Sequence, residues 1–401
     1  MTEISRPAAA VSAASDGATA PVLDDAILGR IRSRAAGHDR DNTFPHADLT
    51  ELSQAGYLRA LVPTRFGGLG LTLPQLAAEQ ARLAAHAPAT ALAVNMHLVW
   101  TGVAKAMHDR GDHALDFLLT EAANGAVFGF GVSEPGNDLV LFGSSTDAAP
   151  QPDGGYTFTG TKVFTSLSPV YTQLGTMGLD TSDPERPLIV WAFLDRADPG
   201  ISRADDWDTL GMRGSQSQTT RLSGAAAAPD RVVRKLPPGP QNDPMIFGIF
   251  ATFEILISAV YTGIAQRALE LGVAAAHRRT SMKQHGRSLA QDPDIRRRVA
   301  QAAMLLDAIR PQIDTLASDV DARADHGPFW FARLAGLKHR SVESAVEVVD
   351  LMVQVNGGAS YFTGDELGRL YRDVLAGRFH PSNADSAHAT VASAWLGPLD
   401  E

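Results

Sequence analysis

Six short segments bring together residue types that can do chemistry on a bound ligand. GFGVSEPGND (129–138) sets the Ser133 hydroxyl and free backbone amides ahead of a Pro-Gly turn. Such donors suit a flat, heteroatom-rich ring. GTKVFTS (160–166) reads as an amphipathic strand ending in Phe164 and Ser166, and LGMRGSQS (210–217) carries Arg213. That arginine is either a substrate or cofactor contact or a salt-bridge partner. VQVNGGASYF (353–362) holds Gly357 and Gly358, whose lack of a side chain lets the backbone approach a phosphate and donate its amides. A Gly pair after a helix is otherwise a C-cap. Glu254 sits in the apolar run FATFEILISAVYTGIAQ (250–266). Desolvation there raises a carboxyl pKa, which suits a general base; the plainer alternative is a helix-start Glu facing solvent. His380, in GRFHPSNAD (377–385) with Asn383, belongs to the one side-chain type that ordinarily titrates near neutral pH. Its plainer alternative is a helix-end His on a carbonyl.

Composition narrows the field. The 401 residues contain no cysteine, which removes thiolate zinc sites, iron–sulfur clusters, disulfide scaffolds and cysteine nucleophiles, and no metal site is expected. The net charge of −10 argues against nucleic acid or an anionic membrane as the main partner, while leaving room for a phosphorylated cofactor held by one or two local cations. No unbroken apolar run approaches the ~18 residues of a membrane span. Residues 1–21, rich in Ala and Ser, read as a disordered tail without a signal-peptide core, so a cytoplasmic protein is expected.

The elements that must position these segments fall into three zones. Residues 22–126 read as a helical domain, with Asp24 capping a first helix marked by Ile27, Ile31 and Ala35, and with FGGLGLTL (66–73) as a break. Residues 127–236 read as a β-domain, with strands expected in 154–166, 187–195 and 231–236. PPGPQNDP (237–244) marks a boundary, and 245–401 returns to long helical stretches at 246–278, 292–322, 329–356 and from 366 onward, lengths that suit a bundle.

This order and these motifs resemble the acyl-CoA dehydrogenase superfamily over about residues 22–397. The resemblance implies an α+β fold: an N-terminal helical domain, a central β-barrel-like domain and a C-terminal four-helix bundle. It also implies a flavin cofactor, FAD, with FMN in some branches. On the matching positions, Val132 and Ser133 face the flavin ring and substrate, Phe164 packs on the ring where the usual residue is Trp, and the Ser166 hydroxyl bonds it. Gln354, Gly357 and Gly358 receive the FAD of a neighbouring subunit, and Arg278 reaches its diphosphate. The implied assembly is a homo-oligomer, a dimer or a tetramer.

Departures from the pattern bear on the reaction. The superfamily's dehydrogenases place a catalytic Glu nine residues after the Arg of the Arg-Asp pair; counting from Arg372, that position is Pro381. Some members carry the base on the first helix of the last domain, where Glu254 matches. The Ser-Asp that holds a pantetheine arm is replaced by Leu139 and Val140, and the usual Phe-Gly after Arg278 reads Ser281-Met282. The leading expectation is α,β-dehydrogenation of an acyl-CoA or related acyl thioester, with Glu254 as base and an electron-transfer flavoprotein as acceptor. The alternative is a flavin monooxygenase using reduced flavin from a reductase and O₂, with His380 near the flavin. Arg213 and Asn383 are the expected substrate contacts.

Overall fold

The computed structural model describes residues 21–399, so the expected tail lies outside the described residues except for Pro21. The chain begins with helices α1 (Asp25–Asp41), α2 (His46–Gln54), α3 (Leu73–His86), α4 (Pro88–His108) and α5 (Asp116–Ala123). Asp24 caps α1 as expected, its carboxylate accepting the Ile27 N–H at 2.7 Å. Thr72 and Gln75 form a reciprocal capping box at the start of α3, which fixes where the chain re-enters helix after the glycine-rich break.

The middle of the chain forms β1 (Phe128–Gly131), β2 (Asp147–Pro150), β3 (Tyr156–Lys162), β4 (Gln173–Asp180), β5 (Leu188–Asp195), β6 (Ile201–Arg203), β7 (Thr220–Ala227) and β8 (Val232–Leu236). They make one sheet in the order β6-β7-β3-β2-β4-β5-β8, with β1 added parallel to β4. The hydrogen-bonded path runs from β6 to β8, and the sheet curls so that β5 approaches β7 across it, in keeping with the expected barrel-like domain. Strand β4 escaped the sequence reading because Gly175, Thr176 and Gly178 interrupt it, so it shows neither alternation nor the continuous apolar run that marks the equally buried β5. Trp100, buried on α4, donates its indole N–H to the Gly129 carbonyl at 3.0 Å and so docks the first helical layer on β1.

Helices α6 (Pro244–Arg278), α7 (Pro293–Ala322), α8 (Trp330–Asn356), α9 (Glu366–Val374) and α10 (Ala384–Leu396) complete the chain. Helix α6 is long and apolar enough to cross a membrane by length and composition, but 83% of its most apolar window is buried inside the protein. It is the core helix, packed mainly against α8, α3 and α4. Each large apolar side chain it buries contributes roughly 1.5–3 kcal/mol, which explains why apolar residues surround it on all sides.

Candidate active site

The loops after β1 and β3 lie side by side, joined by the Val163 N–H to Ser133 carbonyl bond at 2.9 Å. Beneath them Glu134 and Lys162 form an ion pair at 2.5 Å with both side chains fully buried. Glu134 also accepts from the Ser144 hydroxyl at 2.6 Å and from the backbone N–H groups of Ser145 and Thr146 at 2.6 and 3.1 Å. Burial pushes its carboxyl up, but the Lys162 charge and these bonds outweigh it and hold the pKa at about 2. Lys162 is lowered by burial to about 8, still above neutrality, so the pair is ionised near pH 7. The Glu of the first motif and the Lys of the second therefore clamp together the two loops that carry Val132, Ser133, Phe164 and Ser166.

Above this clamp Phe164 is 60% exposed, an unusual setting for a large apolar ring, and meets Trp207 edge-on at 6.1 Å. Its φ of +56° places a bulky residue in the left-handed region, a strain of roughly 1–3 kcal/mol that clusters at ligand clamps. Ser166 is buried, its hydroxyl 2.8 Å from that of Ser217, which is 3.0 Å from that of Ser215. The second and third motifs thus meet in a chain of hydroxyls. The Thr165 hydroxyl beside them is buried without a partner. An uncovered ring face, a row of hydroxyls and an orphaned polar atom fit a flat ring with hydrogen-bonding edges, which is what a flavin presents.

A second cluster lies between α6, α8 and the end of α9. Glu254 is completely buried on α6, accepts a bond from the Ser382 hydroxyl through Oε1, and has no partner at Oε2. Burial raises its carboxyl well above the usual carboxylate range, and the Ser382 bond and the Lys338 charge offset only part of this. Lys338, buried on α8, donates to the carbonyls of His380 and Ser382 at 3.1 and 3.0 Å, which fixes the turn between α9 and α10. His380 Nε2 lies 2.8 Å from the Tyr261 hydroxyl. Burial and then the Lys338 charge drive its imidazole down to about 3, so it is neutral at working pH and does not titrate near neutrality as its residue type suggested. The structure therefore brings Glu254 and His380 to one turn. Lys338, Tyr261 and Ser382 were not anticipated. A signal existed for Lys338: it shares the apolar stripe of α8 with Leu334, Ser341, Val342 and Ala345, where a lysine is out of place.

The remaining predicted residues lie elsewhere. Asn383 is exposed and caps α10, its side chain accepting the Ser386 N–H at 3.0 Å. Arg213 donates to the Asp39 carbonyl at 2.9 Å and to Asp208 at 2.9 Å, the salt-bridge role among its two readings. Near it, Arg372 pairs through both terminal nitrogens with Asp39, and buried Asp373 accepts the Met212 N–H at 2.6 Å. A Cβ on Gly211 would stand 2.3 Å from the Arg372 carbonyl, so only glycine permits this close approach. The Arg-Asp pair thus locks the third motif to α1 and to the last helices. At the far end of α8, Gly357 ends the helix at φ +68° with the Arg279 guanidinium against it, while Gly358 is open. Gln354, exposed, bonds Arg298 at 3.1 Å and Asp350 at 2.8 Å, and Arg278 is exposed at the end of α6.

Fold and site together define a flavin-dependent enzyme class. Residues 24–114 match the acyl-CoA dehydrogenase N-terminal domain and residues 255–384 the acyl-CoA dehydrogenase C-terminal domain. The chain is 31% identical over 383 residues to L-evernosamine nitrososynthase of Micromonospora sp., covering 90% of this chain and 86% of that protein. It superimposes with a TM-score of 0.82 and 29% identity on KijD3 in complex with FMN and dTDP-3-amino-2,3,6-trideoxy-4-keto-3-methyl-D-glucose, covering 94% and 92% of the two chains. Butyryl-CoA dehydrogenase from Megasphaera elsdenii shares the fold at a TM-score of 0.79 and 18% identity, covering 93% and 99%. The protein belongs to the acyl-CoA dehydrogenase superfamily.

Proposed function

We propose that this chain is a flavin-dependent monooxygenase that oxidises the amino group of a nucleotide-linked amino sugar. The observation that carries the reading is the content of the 380–382 turn. Where the dehydrogenases keep a carboxylate, this turn holds Pro381, flanked by a neutral imidazole on Tyr261 and a hydroxyl on Glu254. Amine oxidation requires no carbanion. It requires the amine as a free base, and a carboxyl raised by burial, with one unpartnered oxygen, is suited to take the ammonium proton. Leu139, 59% exposed where the pantetheine contact is expected, supports a substrate without that arm. Likeness to an amino-sugar nitrososynthase along nearly the whole chain points the same way.

Val132, Ser133, Phe164 and Ser166 would hold the flavin ring, and Arg278, Gln354, Gly357 and Gly358 its phosphate side. A reduced flavin held by these residues would supply the two electrons needed for O₂ to give one oxygen to the amine nitrogen and release the other as water. Tyr361 and Phe362, 95% and 73% exposed beside Gly357, support an assembly in which this edge faces a second copy. Arg278→Ala is expected to weaken flavin binding, read as a raised dissociation constant when the protein is titrated with FMN, because a phosphate-facing cation is lost; an unchanged constant removes Arg278 from the site.

The test is a paired assay. With a dTDP-linked 3-amino sugar, a flavin reductase, NADH and air, O₂-dependent loss of the amine is expected, and anaerobic addition of an acyl-CoA panel is expected to leave bound flavin oxidised. Anaerobic bleaching by a thioester, with no amine consumed, overturns the proposal. It would favour the second reading, thioester dehydrogenation with Glu254 as base, which the placement of that carboxyl on α6 supports. Loosely held FMN is expected under the first reading and tightly held FAD under the second.

A further inference from the structure

We propose that His108, His113 and Asp116, at the corner between α4 and α5, form a site for a first-row divalent cation, Zn²⁺ in the first instance. This corner is separate from both clusters described above. His108 is the last residue of α4, Asp116 the first of α5, and His113 lies on the loop between them. The loop is shaped to bring them together. Gly111 takes φ +81°, and the Asp112 carboxylate accepts the Ala114 N–H at 3.1 Å. The His108 ring is held edge-on to Phe66 at 5.1 Å and its side chain is only 9% exposed.

Three ligand atoms converge. The Nδ1 atoms of His108 and His113 are 3.3 Å apart, and they stand 2.6 and 3.0 Å from the two oxygens of Asp116. Ligands about 2.0–2.1 Å from a tetrahedral zinc stand roughly 3.3 Å from one another, so the two nitrogens already have the spacing of a coordination edge. The carboxylate contacts are at hydrogen-bond length and need to open by a few tenths of an ångström. Protons alone serve the cluster poorly. Two Nδ1–H groups satisfy at most two of the three contacts, whereas one cation satisfies all three. Among the described residues, Asp116 has no Lys or Arg ion pair; its partners are the two imidazoles. The nearby cations are engaged elsewhere, Lys105 with Asp109 and Arg234 with Asp112. Two imidazole nitrogens and one carboxylate form a borderline donor set that favours zinc, cobalt or nickel over calcium or magnesium. His113, with 63% of its side chain exposed, gives the ion a path from solvent and leaves a fourth position for water. Bound there, the ion would staple the end of α4, the helix that docks on β1 through Trp100.

The experiment uses the full-length protein, stripped with a chelator, free of any polyhistidine tag, and titrated with zinc sulfate by calorimetry. Saturable binding of one Zn²⁺ per chain is expected, with a rise in melting temperature that tracks zinc concentration. His113→Ala, which removes a largely exposed side chain whose contacts are to Asp116 and the His108 ring, is expected to weaken binding at least tenfold while lowering the metal-free melting temperature only slightly. Asp116→Asn is expected to act in the same direction. Co²⁺ is expected to give ligand-field bands in the visible with the unsubstituted protein and none with His113→Ala. Absence of saturable zinc binding, or binding of equal affinity in His113→Ala, overturns the site and leaves a hydrogen-bonded surface cluster.

Discussion

Two buried Glu–Lys neighbourhoods, one under the sheet and one among the helices, use the same two residue types to opposite ends. Glu134 meets Lys162 directly, and its oxygens accept from Lys162, Ser144, Ser145 and Thr146. Glu254 has one bond, from Ser382, and a bare second oxygen, because Lys338 spends its protons on two carbonyls. The saturated carboxyl is held at about 2 and the under-bonded one is driven up by burial. A buried charge with every lone pair satisfied is structure. A buried carboxyl left short of partners is costly to the fold and persists where chemistry uses it.

The contrast can be broken by substitution. Lys162→Ala is expected to cost about 3–5 kcal/mol in urea unfolding, since it strands a buried carboxylate. A loss below about 1 kcal/mol would mean the backbone donors alone hold Glu134. Glu254→Gln is expected to leave stability unchanged or raised, while turnover falls by roughly 10²–10⁴ as a general base is lost. Were it instead to destabilise as much as Lys162→Ala, the two sites would be the same kind of site.

Stability against pH separates the two kinds of carboxyl. Glu134 has a folded pKa below its ordinary 4.5, so its contribution is present above that value and is lost as pH falls toward 2. Asp373 is the reverse. Burial raises it from 3.8 to about 6, so its contribution is complete below 3.8 and is lost as pH rises through 6, a fall of roughly 3 kcal/mol at most. Asp373→Asn is expected to flatten the melting temperature between pH 4 and 6, and a slope that survives would assign it to other groups. The smallest effect belongs to Tyr261→Phe. Losing one hydrogen bond to His380 costs about 1 kcal/mol, read as a several-fold drop in turnover with no shift in the pH optimum, because the imidazole is neutral throughout. A shifted optimum would show that His380 titrates during turnover.

Much of the fold was legible because its elements carry strong local signals. The Asp24 cap, the long helices near 246–278, 292–322 and 329–356, and the strands within 154–166, 187–195 and 231–236 all lie where periodicity and composition put them. Strand β4 was not legible, because its two glycines break both the alternation and the apolar run by which the equally buried β5 was read. Of the candidate site, the motifs pointed to the two adjoining loops that carry Val132, Ser133, Phe164 and Ser166 and to buried Glu254, but residue type alone did not reveal the structural partners of two side chains. Asn383 is taken by the α10 cap and Arg213 by Asp39 and Asp208, partners 174 and 5 residues away.

The sequence by itself determined the order of helices, sheet and helices, the superfamily, and the short segments where chemistry is concentrated, since these rest on local pattern and on motifs a few residues long. Only the tertiary structure decided which charges are saturated and which are not. Lys338 reaches 42 residues to the His380 carbonyl, and Ser382 reaches 128 residues to Glu254. A carboxyl's pKa depends on burial and on such distant partners, and neither is written in its neighbours along the chain.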